Sequence, residues 1–386
     1  MSNDNPDLLS KIKGILILTV FLFIFYPWGA FAAPEPMGSI PKDEMFKAEV
    51  VEILDEQEKV SQEGLKTTQQ DLKLKGLEGE YKGEEFVFEG IDDLTVLSNK
   101  TYRKGQEVWA AATYKENGEP VYYVVDHVRN SVIWWLAGIF VLALLLVGGF
   151  KGFRALMALT ITFAVLVLYI VPTILKGVNP LLPTLVGSTI ILLVVIYLTE
   201  GFRLRSHIAI LSTFFSLLVT IIFSWVFVEA AKLTGVTSHE VSSLVNLGEG
   251  AINFQGLLLA GIIIGALGVL DDVIISQVAT VEQIMDADRY QRKWEVFKRA
   301  YKVGVSHISS MTNTLFLAYA GASLPLLILF ISGDSAFTGW TQVISNEVIA
   351  TEIVRTLTGS IGLILAVPIS TGIAVWWLKM EDRGER

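Results

Sequence analysis

The sequence predicts an α-helical integral membrane protein with seven or eight transmembrane helices and a small extracytoplasmic β-rich domain after the first span. Three observations carry this expectation. Of 386 residues, 52% are hydrophobic and the mean hydropathy is +0.53, too apolar for a soluble chain of this size. The apolar residues gather into runs near 14–32, 132–150, 155–175, 181–199, 207–230, 252–281, 308–331 and 356–378. Most runs reach the ~20 residues that a bilayer helix needs. The charge is also unevenly placed: residues 34–131 hold 12 Lys/Arg against 21 Asp/Glu, while the rest of the chain holds 18 against 18, so the net charge of −9 lies in one segment.

Taken in order, the first run follows Lys11 and Lys13 and ends in Ala30, Phe31, Ala32, Ala33 and Pro34, the pattern of a signal-peptide cleavage site. Residues 1–33 are therefore a signal peptide or a retained signal anchor, and the mature protein has seven or eight spans accordingly. The acidic segment 34–131 contains strand-like runs at 46–53, 85–89, 107–114 and 121–128, with Asn117 and Gly118 between the last two as a hairpin signal. It reads as a domain of about five strands, OB-like in type, whose acidity serves solubility or, alternatively, the binding of an ion or cationic ligand. Residues 132–386 form a seven-helix membrane domain. Within it, 282–304 reads as a separate cytoplasmic amphipathic helix, with Trp294, Phe297 and Tyr301 on one side and basic residues around them.

Basic residues in the short loops set the orientation. Lys151 and Arg154, Arg203 and Arg205, the cluster Arg289, Arg292, Lys293, Lys298, Arg299 and Lys302, and finally Lys379, Arg383 and Arg386 all fall on the side of Lys11. The opposite loops hold only Lys176, Lys232 and Arg355 beyond the β-rich domain. The positive-inside rule then places both termini in the cytoplasm and residues 34–131 outside. Trp134, Trp135, Trp376 and Trp377 stand at span ends as interfacial anchors.

Several function classes drop out. An acidic chain has no basic face for phosphate contacts, which excludes a nucleic-acid binder. With no cysteine, disulfide, thiolate-metal and cysteine-nucleophile chemistry are absent together. His127, His207, His239 and His307 show no metal-ligand spacing, and there is no phosphate loop or nucleophile elbow. The expectation is a protein that is not an enzyme and uses no metal or cofactor.

The sixth apolar run carries Asp271 and Asp272, with apolar Val273, Ile274 and Ile275 beyond them. With the helix centred near Gly268, the pair lies only ~5 Å from the midplane at the helical rise. Insertion scales put a central Asp at roughly +2.5 to +3.5 kcal/mol, so such groups face a bundle interior or a cavity and carry protons or ions. Two adjacent carboxylates also resist ionising together. Gly261, Gly265, Gly268, Asp272, Ser276 and Ala279 follow one helical stripe, which suits close helix packing. This places Asp272 on a packing face and Asp271 about 100° away. The alternative is that the helix ends at Leu270 and the pair caps it in the cytoplasmic interface.

The seventh span brings Ser310, Asn313 and Thr314 near the level of Asp272 as hydrogen-bond partners, with His307 nearer the cytoplasm as a proton donor or a solvated side chain. In the last span Glu352, Arg355, Gly359, Gly362, Ala366 and Ser370 form a second small stripe. Arg355 is about 20 Å in depth from Asp272 by the helical rise, so a local pairing with Glu352 or Glu347 is expected. Pro325 and Pro368 weaken their helices.

The strings GALGVLDDVIISQ at 265–277, SHISSMTNTLFLAYAGASLPLL at 306–327 and NEVIATEIVRTLTGSIGLILAVPI at 346–369 resemble the YibE/F family of bacterial multi-pass membrane proteins. The resemblance covers nearly the whole chain and implies a bacterial cytoplasmic-membrane location. A shorter likeness, LGVLDDVIISQVATVEQIM at 267–285, is similar to the Asp-Asp helix of RND-type exporters and their SecDF relatives. There the buried carboxylates carry protons, and the matching positions are Asp271 and Asp272; the last spans would then be RND-half-like. The chain departs from that pattern in having one half, two additional spans and no intramembrane Lys or Arg at the right depth. A single half implies pairing with a second copy or a homologous subunit. The resulting expectation is a transporter or export-assisting protein coupled to protons or sodium through Asp271 and Asp272. The alternative is a non-transporting scaffold or accessory subunit that recruits a partner through its outer β domain. An integral membrane enzyme would need an outer polar pocket that the sequence does not assemble.

Overall fold

The computed structural model describes residues 44–60, 66–91, 101–114, 120–237, 252–288, 290–332 and 339–378. The first apolar run, Asn117 and Gly118, His239, Arg289 and the C-terminal basic residues lie outside them. The described chain divides between Ala143 and Leu144 into a β unit and a helical unit.

The β unit is a five-stranded antiparallel half-barrel built from β1 (Glu44–Val60), β2 (Lys66–Gly76), β3 (Glu85–Glu89), β4 (Glu107–Tyr114) and β5 (Pro120–His127), in the order β3-β2-β1-β4-β5. Alternation decides its two faces. Phe46, Ala48 and Val50 of β1, Leu72 and Leu74 of β2, Phe86 and Phe88 of β3, and Val108, Ala110 and Ala112 of β4 all point into one core. Register shifts between Val50 and Glu52 and between Ile53 and Asp55 bend β1, which pairs with β2 along its length and with β4 near its start. The two edge strands approach through side chains: Phe86 stacks on Tyr122 at 4.3 Å between ring centres, and Tyr81 meets Tyr122 edge-on at 6.0 Å. Gln70 substitutes for a missing strand contact, its Oε1 accepting from Tyr102 N at 2.7 Å and its Nε2 donating to Tyr102 O at 3.2 Å.

In the helical unit, α1 (Asn130–Val165) runs through a five-residue π turn at Leu166–Ile170 into α2 (Val171–Leu175). The two apolar runs expected at 132–150 and 155–175 thus share one helical stretch, interrupted at Gly149 with φ 52 and ψ −130, a conformation that a Cβ disfavours. Then come α3 (Leu181–Glu200), α4 (Leu204–Ala230), α5 (Phe254–Ala287), α6 (Lys293–Ala322), α7 (Leu324–Ile331), α8 (Trp340–Ser345) and α9 (Glu347–Trp377). Among the described residues, five helices are long and apolar enough to cross a membrane: Asn130–Leu175, α3, α4, α5 and α9.

Two expectations change here. The helix expected at 282–304 does not form as a unit, because its first turns belong to α5 and the rest opens α6, with the break at Asp288. Val296 and Ala300 are drawn into the core, and this ties the start of α6 to the bundle. The aromatic side remains as a stacked ladder, with Trp294 to Phe297 at 5.3 Å and Phe297 to Tyr301 at 5.8 Å. The seventh span expected at 308–331 is divided at Ser323 into α6 and α7, with Pro325 in the first turn of α7 where its missing N–H costs least. Pro368 leaves α9 unbroken.

The centre of the bundle is the contact of α4, α5 and α9. Thr213, Ser216, Thr220 and Ser224 of α4 are buried and donate to carbonyls of their own helix, Thr213 to Ala209 at 2.9 Å and Ser216, Thr220 and Ser224 to the residue four back at 2.8, 2.9 and 2.7 Å. The hydroxyls satisfied, this seam accepts the small stripe of α9. Gly362 lies so close to Thr220 that a Cβ there would meet its hydroxyl and stand 3.0 Å from its Cβ.

Candidate functional site

The site begins with helix continuity. Asn253 caps α5, its side chain accepting from Gly256 N at 2.8 Å, and the helix then runs unbroken past Leu270 to Ala287. Asp271 and Asp272 are thus mid-helix residues, and the alternative in which they cap a helix ending at Leu270 is set aside. Long apolar sequence on both sides keeps the ladder going, since no Gly or Pro follows to stop it.

Their orientation corrects the packing expectation. α5 packs through Ile262, Ile263, Ala266, Leu270, Val273, Ile274, Gln277 and Val278, all buried. Gly261, Gly268 and Asp272 are exposed and Ser276 partly so, and among the described residues nothing lies within 4 Å of where a Cβ would stand on Gly261 or Gly268. The small stripe is the open face of the helix. Periodicity marks a face but does not say which face meets a neighbour, and the side with larger apolar side chains buries more area. Of the glycines in this stripe Gly265 alone is approached among the described residues, by the Tyr319 hydroxyl of α6, 2.9 Å from a Cβ position. The glycines of α9 behave as expected, Gly359 and Gly362 both being buried.

Asp271 is partly buried, and its Oδ1 accepts from Asp272 N at 2.9 Å; the Asp272 carbonyl accepts from Ser276 Oγ at 3.0 Å. Depth across the helix pair is set by Gln277. Its Nε2 donates to Ala300 O of α6 at 2.9 Å and to Thr371 Oγ1 of α9 at 2.7 Å, while its Oε1 lies 2.8 Å from where Gly304 would carry a Cβ. Counting back five residues to Asp272 on one antiparallel helix, and on six residues to Ser310 on the other, brings the two to the same level, as does the Gly265 to Tyr319 approach further along.

Ser310 therefore shares the depth of Asp272, with Asn313 and Thr314 about 4.5 and 6 Å further along the helix, and all three are exposed, as is His307. They do not reach the carboxylates. Thr314 Oγ1 donates to Ser310 O of its own helix at 3.0 Å, and among the described residues no hydrogen bond joins α6 to Asp271 or Asp272. The arrangement is one carboxylate pair and one row of hydroxyl, amide and imidazole groups, side by side on an open surface.

Charged groups elsewhere are engaged locally. Arg355 pairs with Glu352 at 3.1 Å. Glu347 instead accepts from Thr234 N and Oγ1, both at 2.6 Å, and from Gly235 N at 3.1 Å, holding the start of α9 to the end of α4. Glu200 pairs with Arg205 at 2.8 Å, and Arg205 also reaches Glu282 of α5 at 3.5 Å. His207 Nδ1 lies 2.8 Å from the Tyr197 hydroxyl. Among the described residues no group of three or more His, Asp or Glu side chains is placed to hold a metal ion.

Sequence reasoning missed Gln277, Arg205 with its two carboxylates, and the α4 seam. A signal existed for two of them: Gln277 is a lone amide within IISQVATV, and Thr213, Ser216, Thr220 and Ser224 follow helical steps of three, four and four.

Residues 136–380 match the model of the family described as YibE/F-like protein. No curated protein and no solved structure matches the chain, and the likeness to RND and SecDF proteins gains no support from these comparisons.

Proposed function

The chain belongs to the YibE/F-like family, and on that premise we propose that it is a cytoplasmic-membrane carrier or export-assisting protein in which Asp271 and Asp272 bind and release protons or Na⁺. In this reading seven or eight spans cross the bilayer, both termini are cytoplasmic, and the half-barrel, OB-like in strand order, lies outside. The observation that carries it is the position of the pair inside one continuous helix, with seventeen helical residues before Asp271 and fifteen after Asp272, of which the nine up to Val281 carry no charge. A helix of that length spans the bilayer, and carboxylates in its middle are retained at a cost in insertion energy unless they do work there. The break at Ser323 between α6 and α7 supplies a point at which the neighbouring span can bend.

The test is proton or Na⁺ flux in proteoliposomes, comparing the unaltered protein with an Asp271→Asn/Asp272→Asn variant at matched reconstitution. The carrier predicts flux that the variant abolishes. Cation flux absent from both, or undiminished in the variant, overturns it.

A second reading is a scaffold whose β unit recruits a partner. It is favoured by Met45 and Tyr123, exposed apolar side chains flanking Ala111 across β1, β4 and β5. The same measurement separates the two, since a scaffold carries no cation current.

A further inference from the structure

α5 and α6 both present polar groups that meet no partner among the described residues. On α6, Ser306, His307, Ser310 and Asn313 are exposed and their side chains have no hydrogen-bond partner among the described residues, whereas Ser309 and Thr314 turn their hydroxyls back to their own helix at 3.2 and 3.0 Å. On α5, Asp272 is exposed and its carboxylate receives no donor among the described residues, with Gly261 and Gly268 beside it leaving the helix flat. Unpaired carboxylate, amide and imidazole groups are costly against hydrocarbon.

We propose that a second copy of this chain seats on this face, so that Asp272 of each copy is hydrogen-bonded by Ser310 and Asn313 of the partner subunit. Two features select a second copy. The first is complementarity: α5 offers an acceptor without donors and α6 offers donors without an acceptor. The second is level. Asp272 and Ser310 lie at one depth on antiparallel neighbours, and a two-fold axis along the membrane normal preserves depth. It therefore sets α5 of each copy against α6 of the other with acceptor and donors in register, and makes each contact twice. The flat glycine stripe lets the partner helix come close enough for these bonds. The apolar run at 14–32 has no charged residue, serine, asparagine or histidine, and its side-chain donors are limited to Thr19, Tyr26 and Trp28. The site is then shared, and each carboxylate pair is completed only in the dimer. This requires that the helices lie in a membrane and does not require transport.

The chain has no cysteine, so single substitutions report cleanly. Full-length Gly268→Cys and Asn313→Cys chains carrying different tags are co-expressed and oxidised in native membranes. The expected result is a disulfide-linked species of twice the 42.6 kDa chain mass that carries both tags, with none from Phe215→Cys and Leu218→Cys on the exposed side of α4. The proposal is overturned by no such species when a maleimide shows both thiols reactive in folded protein, or by equal linkage at α4. It is also overturned by linkage only within one chain bearing both substitutions. Linkage without cation flux overturns the carrier alone, and flux without linkage overturns this interface alone.

Discussion

Gln277 of α5 and Thr371 of α9 are joined by a 2.7 Å hydrogen bond from Nε2 to Oγ1, and the same nitrogen donates to Ala300 O of α6, so one amide holds three helices together. Beside it Gly304 leaves room for the amide oxygen. Replacing Gln277 by Leu keeps the volume but removes the amide donor that Ala300 O and Thr371 Oγ1 share, which costs about 0.5–1.5 kcal/mol for each hydrogen bond lost. Gly304→Ala pushes on the amide and on Val367 and costs a similar ~1–3 kcal/mol through overpacking. Thermal unfolding of the detergent-solubilised chain is expected to show a lowered midpoint for both, and an unchanged midpoint for either removes Gln277 as the tie.

The contact of Gly362 with Thr220 makes a second, separable prediction. Gly362→Ala is destabilising by roughly 1–3 kcal/mol. Gly372→Ala, on the same helix with nothing within 4 Å of a Cβ position, is neutral or stabilising by up to ~1 kcal/mol, because alanine is the better helix former. Midpoints measured side by side decide whether α4 and α9 approach at Gly362.

Arg205 bridges Glu200 and Glu282 from α4 to the ends of α3 and α5. Arg205→Lys is expected to rescue only part of the loss seen in Arg205→Ala, since an ammonium lacks the planar fork that reaches two carboxylates at once. Because the pair is partly exposed, the loss is small, about 1 kcal/mol, and shrinks as salt is raised. A chemical-denaturation series at two ionic strengths checks both statements.

In the β unit, Lys73 and Glu85 pair across β2 and β3 at 2.7 Å. The hydrogen bond and charge of Lys73 hold the Glu85 carboxyl below its usual value, and those of Glu85 raise the Lys73 ammonium. The sign follows from linkage. A depressed carboxyl contributes stability that is present above its unfolded-state value and lost as pH falls through the folded one, while a raised ammonium contributes stability lost as pH rises through its folded value. NMR titration of labelled full-length protein is expected to place the Glu85 midpoint in the unaltered protein below that in a Lys73→Ala variant.

Much of the β unit was legible. Two strands, at 85–89 and 107–114, coincide with their expected runs, because alternation with one buried face leaves a period-two trace. β2 was harder to see, since KTTQQDLKLKG has only Leu72 and Leu74 as inward apolar residues and buries Gln70 in place of a third. Helix boundaries were legible where a cap or glycine marks them, as at Asn253, and illegible at 282–304, where the break falls at Asp288 without Gly or Pro. The candidate site was legible as two carboxylates and a row of polar residues near one depth. That α6 and α5 do not join them by hydrogen bonds was not.

By itself, then, the sequence determined the class of the protein. Length, hydropathy and the charge concentrated in 34–131 are one-dimensional properties, and the helical rise and the pleat of a strand convert them into helices long and apolar enough to cross a membrane and into a sheet. Helical spacing likewise determined that Gly261, Gly268 and Asp272 share a face, and that Gly359 and Gly362 share another. Which of those faces turns inward was decided only in the tertiary structure. Gly362 meets the hydroxyl seam of α4 while Gly268 meets open space, because burial goes to whichever side of a helix finds a complementary neighbour and removes more apolar area from its surroundings. That choice depends on residues a hundred or more positions apart, and it leaves Asp272 on the surface.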